Sequence, residues 1–242
     1  MKITFIIPIY NGMKFINKCL DSIINQSYDD WEIIIINDGS TDDSQLIVEN
    51  YIKSHYNYKI SLINTENNGH AIARNYGMEQ ASGEYIWFVD VDDYLYEKDS
   101  LAKVVKHLND FNPDVLICSV YETDFNKRNK IWHYTNKAKM ITIKDMPRLV
   151  FKQNWAWNKI VKRSFLKERN IIFDRIMMFE DIYYMMELYQ QAQSIYITRD
   201  ICYVYVKHDA ALTASLSNFK TFPKALFFMF RTYLRIKLGF NK

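Results

Sequence analysis

The sequence predicts an α/β fold: a mainly parallel central sheet flanked by helices, followed by a C-terminal subregion of mixed character. Three observations carry this expectation. Continuous β-branched and aromatic runs, the mark of strands buried on both faces, alternate with apolar stripes at helical spacing. The connections between them are short, as in βαβ units. Acidic or glycine-containing turns follow the strands, at the edge where open α/β sheets bind ligands. At roughly 150 residues per domain, a chain of 242 residues is one large domain or a domain with an annex.

Taken in order, Ile3 to Ile9 is an apolar strand stopped by Pro-Ile-Tyr-Asn-Gly. Phe15, Ile16, Cys19, Leu20, Ile23 and Ile24 recur every four residues and predict a helix. Trp31 to Asn37 is the second strand, and Ser40 as N-cap with Asp43 in a capping box opens a helix toward Tyr56. Lys59 to Asn64 is the third strand. A helix over 70–81 follows, with Gly69, Ala73, Gly77 and Ala81 at four-residue spacing, a small-residue face able to approach a sheet closely. Glu84 to Asp90 is the fourth strand, Leu101 to Leu108 a helix and Val115 to Tyr121 a strand. Residues 125–143 show no clear period and predict a hairpin or excursion. The aromatic and basic segment WAWNKIVKRSFLKERN comes next, then a helix over 182–192 and short strands at 195–198 and 202–206.

Apolar residues at 49% and charged residues at 24%, with six glycines and four prolines, exclude collagenous and disordered classes. With 31 basic against 28 acidic residues, a general polyanion binder is not indicated. Cys19, Cys118 and Cys202 are odd in number and widely spaced, which argues for core thiols rather than disulfides or a C-x-x-C site. The N-terminal apolar run is too short for a signal peptide, and no apolar stretch approaches the roughly 18 residues of a membrane span. The expected location is cytoplasmic, or peripheral on the cytosolic face of the inner membrane. Residues 218–242 carry six cations and no acids in an amphipathic pattern rich in Phe and Leu. Such a tail lies on an anionic bilayer or docks on its own domain, and both readings stand at this point.

The strongest chemical signal is Phe88-Val89-Asp90-Val91-Asp92-Asp93. Three carboxylates closing a buried strand repel one another unless a cation neutralises them, and hard oxygen ligands suit Mg²⁺ or Mn²⁺ beside a nucleotide's phosphates. A plain acidic cap on the next segment is the alternative. Asn37-Asp38-Gly39-Ser40 offers Asp38 as acceptor for a base or ribose and Gly39 for a close turn, though such turns are common. Tyr10, at the end of the first strand, would lie against a base or pack in the core. Arg74 would bridge to the acidic cluster, reach a diphosphate or form a surface ion pair.

PIYN, NDGSTDDS, NNGHAIARNYG and FVDVDD, in this order and at these separations, resemble the family 2 glycosyltransferases, inverting enzymes of bacterial surface-polysaccharide synthesis with a GT-A (Rossmann-like) fold. The likeness is specific over about residues 2–95 and looser to about 217. It implies one domain over 1–217, with a nucleotide-sugar half (1–109) and an acceptor half (110–217). It implies that Pro8, Tyr10 and Asp38 contact the nucleoside, with Asn11 and Gly69 in the same motifs. It further implies that Arg74 serves the nucleotide site, that Asp90 and Asp92 meet ribose and diphosphate, and that Asp92 and Asp93 hold Mn²⁺ or Mg²⁺, with His208 as a third ligand. Asp181 of Glu180-Asp181 stands where the family places its base and where a helix N-cap would also sit, and Trp157, Asn158, Lys159 and Glu180 would border the acceptor, with core packing the plainer role for Trp157. The implied partners are a nucleoside diphosphate sugar, a UDP-sugar, and a glycan or lipid-linked glycan acceptor; no nucleic acid is implied.

Two other readings compete. A sugar nucleotidyltransferase shares the acidic metal site but opens with a glycine-rich phosphate loop, where this chain has PIYNGMKF with one glycine. A non-catalytic nucleotide-sugar scaffold would keep the fold without the intact acidic motifs. An NAD enzyme is disfavoured because no G-x-G-x-x-G follows the first strand.

Overall fold

The computed structural model describes residues 1–124, 129–141, 155–174 and 180–208. The basic tail over 218–242 and the side chain of Glu180 lie outside the described residues. Ten strands form one sheet: β1 (Ile3–Ile9), β2 (Trp31–Asp38), β3 (Ile60–Thr65), β4 (Tyr85–Phe88), β5 (Tyr94–Leu95), β6 (Val115–Asp124), β7 (Lys130–Trp132), β8 (Lys139–Ile141), β9 (Lys159–Lys162) and β10 (Ile195–Lys207). The helices are α1 (Ile16–Ile24), α2 (Ser44–Ser54), α3 (His70–Gln80), α4 (Ser100–Phe111), α5 (Arg163–Glu168) and α6 (Glu180–Gln191).

The strand order is β3-β2-β1-β4-β9-β6-β10-β5, with β7 on β6 and β8 on β10. The first half is parallel as expected: β1 pairs with β2 and β4, and β2 with β3. Beyond β4 the sheet is mixed, which corrects the expectation of a mainly parallel one. β9 lies antiparallel between β4 and β6, while β6 and β10 pair in parallel. Periodicity gave no warning of β9, because Lys159-Ile-Val-Lys162 is only four residues long and its lysines mask the apolar signal. The expected excursion after β6 contains β7, folded back antiparallel on β6, and β8, which pairs with β10.

Each face of the sheet is covered. Ile3, Phe5 and Ile7 pack with Cys19, Leu20 and Ile23 of α1, Val48 of α2 and Val104 of α4. The other face joins Ile6, Ile34 and Ile36 to Ala73 of α3, Phe165 of α5 and Tyr184, Met185 and Tyr189 of α6. This two-sided burial is why β1 reads as a continuous apolar run rather than an alternating one. Pro8 fits inside a central strand because the β1–β4 ladder ends at Ile6–Phe88 and the Val89 amide on Ile6 O, so its missing N–H falls beyond the neighbouring strand. The three cysteines are buried and free. Among the described residues, no helix is long and apolar enough to cross a membrane.

Helix α2 departs from expectation at its start. It begins at Ser44, not after Ser40, because Ser40 Oγ is taken by the Asn11 amide while Asp42 Oδ1 accepts from Ser44 N. The small-residue face of α3 behaves as its spacing implies. A Cβ on Gly77 would lie 2.4 Å from Ile6 Cγ2 in the central strand. Ile6 is fully buried and branched at Cβ, so it cannot turn aside without leaving its rotamer. Gly77→Ala is expected to destabilise the protein by about 1–3 kcal/mol through overpacking. Urea unfolding measures this, and a midpoint equal to the parent's would show that α3 can retreat from the sheet.

Candidate active site

Strands β1, β2 and β4 run in parallel, so the turns that follow them gather at one edge. Asn11, at φ 53°, holds two of these turns together. Its side-chain oxygen accepts from Thr41 N (2.8 Å) and Asp42 N (3.3 Å), and its own amide donates to Ser40 Oγ (3.0 Å). Asparagine tolerates this left-handed conformation better than most residues. Asp38 is buried at the end of β2, where Oδ1 accepts from Asn68 N and Oδ2 from Gly69 N, each at 2.8 Å. Gly69 is the N-cap of α3 at φ 89°, a conformation that glycine adopts without strain. Pro8 is buried within β1, whereas Tyr10 is 41% exposed at the edge.

Arg74 occupies the centre of the site. It projects from α3, is 4% exposed and donates Nη2 to Asp90 Oδ1 (2.8 Å) and Nη1 to Asp181 Oδ1 (2.9 Å). The second oxygen of Asp181 accepts from Ala156 N at 3.1 Å. Burial pushes the Asp181 carboxyl above its ordinary range, while Arg74 opposes that rise. The guanidinium also lies 5.2 Å from the ring of Phe173, which packs edge-on with Phe88 and face-on with Tyr184. Asn75 fixes this support by donating to Phe173 O (2.8 Å) and accepting from Phe173 N (2.9 Å).

The two remaining aspartates part company. Asp92 Oδ2 meets His208 Nε2 at 2.7 Å, and that imidazole stacks on Phe15. Asp93 turns into the core, 1% exposed, with Oδ2 accepting from Tyr203 OH and Oδ1 from Val206 N, both at 2.8 Å. Of the expected metal set Asp92, Asp93 and His208, the structure brings Asp92 and His208 together and turns Asp93 away. Consistent with this, no three His, Cys, Asp or Glu side chains converge among the described residues. Burial and then Asp90 raise the Asp92 carboxyl above its usual range, so its charge is costly where it stands. A carboxylate under such stress, touching an imidazole nitrogen, fits a divalent cation whose other ligands come from phosphate oxygens.

Three of the residues expected at the acceptor border are buried. Trp157 is 3% exposed, and Asn158 and Lys159 are fully buried. Trp157 stacks on Tyr203 (4.8 Å, 14°) and Tyr205 (5.4 Å, 5°), and its carbonyl accepts from Trp87 Nε1. These three residues support the site from behind, and the half-buried Trp155, Trp132 and Tyr205 form the outer aromatic layer. A cavity of about 890 Å³ opens on the outer side of α3 and α6 beside Tyr76 and Ile172, and contains none of the expected donor-binding residues.

Sequence reasoning missed Tyr203, Asn75 and the Ala156 amide, since their partners lie 113, 98 and 25 residues away and no local pattern connects them. Tyr203 both donates to Asp93 and accepts from Asp90 N (3.1 Å), tying the acidic turn to β10. Tyr203→Phe leaves those buried groups short of a partner and is expected to cost about 1–3 kcal/mol. Unfolding by urea, followed by circular dichroism, checks this; an unchanged midpoint would show that the hydroxyl is dispensable.

Comparison with known proteins shows the family and the fold. The family model described as glycosyl transferase family 2 matches residues 4–170. Glycosyltransferase EpsJ of Bacillus subtilis is 28% identical over 218 residues, which is 87% of this chain and 62% of that protein. The poly(ribitol-phosphate) beta-glucosyltransferase of Bacillus spizizenii is 32% identical, covering 86% of this chain and 33% of its own length. The chain thus spans less than two thirds of either relative. The crystal structure of Staphylococcus aureus TarS 1–349 in complex with UDP-GlcNAc superposes with a TM-score of 0.81 at 26% identity, covering 97% of this chain and 67% of that one. The chain belongs to glycosyl transferase family 2.

Proposed function

We propose that this family 2 glycosyltransferase moves a sugar from a nucleoside diphosphate donor, a UDP-sugar, to a hydroxyl of a glycan or lipid-linked glycan acceptor, with inversion, in building a surface polysaccharide. The observation that carries this reading is the shared guanidinium of Arg74, which sets Asp181 beside Asp90 at the strand edge. UDP as the nucleotide is supported by the TarS complexes with UDP and UDP-GlcNAc. A surface polymer as product is supported by the poly(ribitol-phosphate) transferases among the relatives.

The base of the donor lies toward the turns after β1 and β2. Tyr10 offers an exposed ring face there, and Asp38 retains one lone pair on each oxygen after serving Asn68 and Gly69. Pro8, Asn11 and Gly69 act through the backbone shape they impose, and Asp90 faces the ribose. Asp92 and His208 are the residues that would hold Mn²⁺ or Mg²⁺, which when bound offsets the charge of the departing diphosphate.

Asp181 takes the proton from the acceptor hydroxyl as general base. Arg74 and Ala156 each engage one of its oxygens, which fixes the carboxylate plane and leaves lone pairs for the incoming O–H. Burial increases its appetite for a proton, and Arg74 beside it favours the ionised form that accepts one. Attack from the face opposite the leaving diphosphate inverts the anomeric carbon in one displacement. Trp155, Trp132 and Tyr205 are the aromatic surface on which the acceptor sugar rests, in place of Trp157, Asn158 and Lys159.

Isothermal titration with UDP tests the assignment. Binding is expected with Mn²⁺ or Mg²⁺ present, to be lost on chelation, and to weaken at least about tenfold in Asp92→Ala, or about 1.4 kcal/mol. Asp181→Asn is expected to bind UDP as the parent does while transfer falls about 10²-fold or more. Undiminished UDP binding in Asp92→Ala would remove the cation from Asp92, and retained turnover in Asp181→Asn would send the base elsewhere.

A further inference from the structure

A fully buried lysine beside a fully buried asparagine in β9 and the turn before it needs a reason, because desolvating an ammonium is costly. Lys159 Nζ donates to Trp155 O (2.7 Å) and Asn158 Oδ1 (2.6 Å), and Lys159 N donates to Ala156 O (3.1 Å). Asn158 is in turn anchored to β6: its Nδ2 donates to Cys118 O (3.3 Å), and its carbonyl accepts from Cys118 N (3.2 Å). The three bonds of Lys159 close the turn over 155–159, the two of Asn158 fix that turn on β6, and the turn's Ala156 N–H is the amide that meets Asp181.

We propose that Lys159 is a positioning residue for the base: it locks the 155–159 turn so that the Ala156 amide holds Asp181, and it adds a second cation to that carboxylate's surroundings. This rests on the reading of Asp181 as the base. The charged and titratable groups facing Asp181 are Arg74 and His70 of α3, Asp90 after β4, Lys159 of β9 and Tyr184 of its own helix. Of these, Arg74 and Lys159 favour the ionised carboxylate, while burial and Asp90 oppose it. Burial draws the Lys159 ammonium down to about 7, with Asp181 resisting. Below that value Lys159 carries its charge, and the charge favours the ionised form of Asp181.

A carboxyl titration by NMR on the full chain labelled with ¹³C-aspartate tests this, with the Asp181 resonance assigned through Asp181→Asn. In Lys159→Met the Asp181 midpoint is expected to rise by about one pH unit or more, a tenfold change in acidity. Lys159→Gln, which keeps a donor for the Trp155 carbonyl but no charge, is expected to show the same rise. Lys159→Arg is expected to return the midpoint toward that of the parent. The unmodified chain needs no substitution to be informative: its Asp181 resonance is expected to show a second inflection near pH 7 as Lys159 titrates. An Asp181 midpoint that stays put in a charge-removing variant that still binds UDP would overturn the proposal, as would absence of the second inflection. Failure of the parent chain to bind UDP would instead count against the functional reading, and the titration would still answer for Lys159.

Discussion

One buried guanidinium shared by two carboxylates joins the halves of this protein. Arg74 is 16 residues from Asp90 and 107 from Asp181, yet it reaches both within 3 Å. Such a cation gives little net stability, because the cost of removing three charges from water offsets much of the attraction. Its consequence is geometric. It sets the start of α6 beside the acidic edge of the parallel half, so that Asp90 and Asp181 share one cation while the Ala156 amide holds the other oxygen of Asp181. Phe173 and Asn75 hold that contact from below, which explains why the segment after α5 returns to α3 before α6 begins.

The second constraint is β10. This strand pairs with β6 and β5 and supplies Tyr203 and Val206 to Asp93, while His208 just beyond it meets Asp92. Asp92 and Asp93, adjacent in sequence, are thereby divided between two tasks. One stays at the edge with an imidazole, and the other becomes a buried anchor whose charge is disfavoured by desolvation. The late strand thus holds the early motif in place.

Much of the first half was legible because its signals are local. Uninterrupted apolar strands, the glycine and alanine face of α3 and the carboxylates after β4 follow from residues next to one another. The second half resisted for a physical reason: its decisive contacts are long-range and its strands are short. β9 hides between lysines, one of which reads from sequence as a surface charge but is buried against the Trp155 carbonyl and the Asn158 side chain. Trp157, Asn158 and Lys159 form a motif visible in sequence, but their tight hydrogen bonding places them behind the site rather than on it. Asp93 shows the same limit, since nothing in Asp-Val-Asp-Asp tells which carboxylate turns inward.

A double-mutant cycle between Arg74→Met and Asp181→Asn, read by urea unfolding at neutral pH, measures the coupling on which this account rests. Loss of Arg74 takes from Asp181 the cation it bonds, and loss of Asp181 leaves Arg74 with Asp90 alone, so the single variants are expected to be non-additive, with a coupling of about 1–3 kcal/mol. Additivity within about 0.5 kcal/mol would mean that Arg74 and Asp181 do not act as a pair in solution, and the link between the acidic strand edge and the start of α6 would be broken.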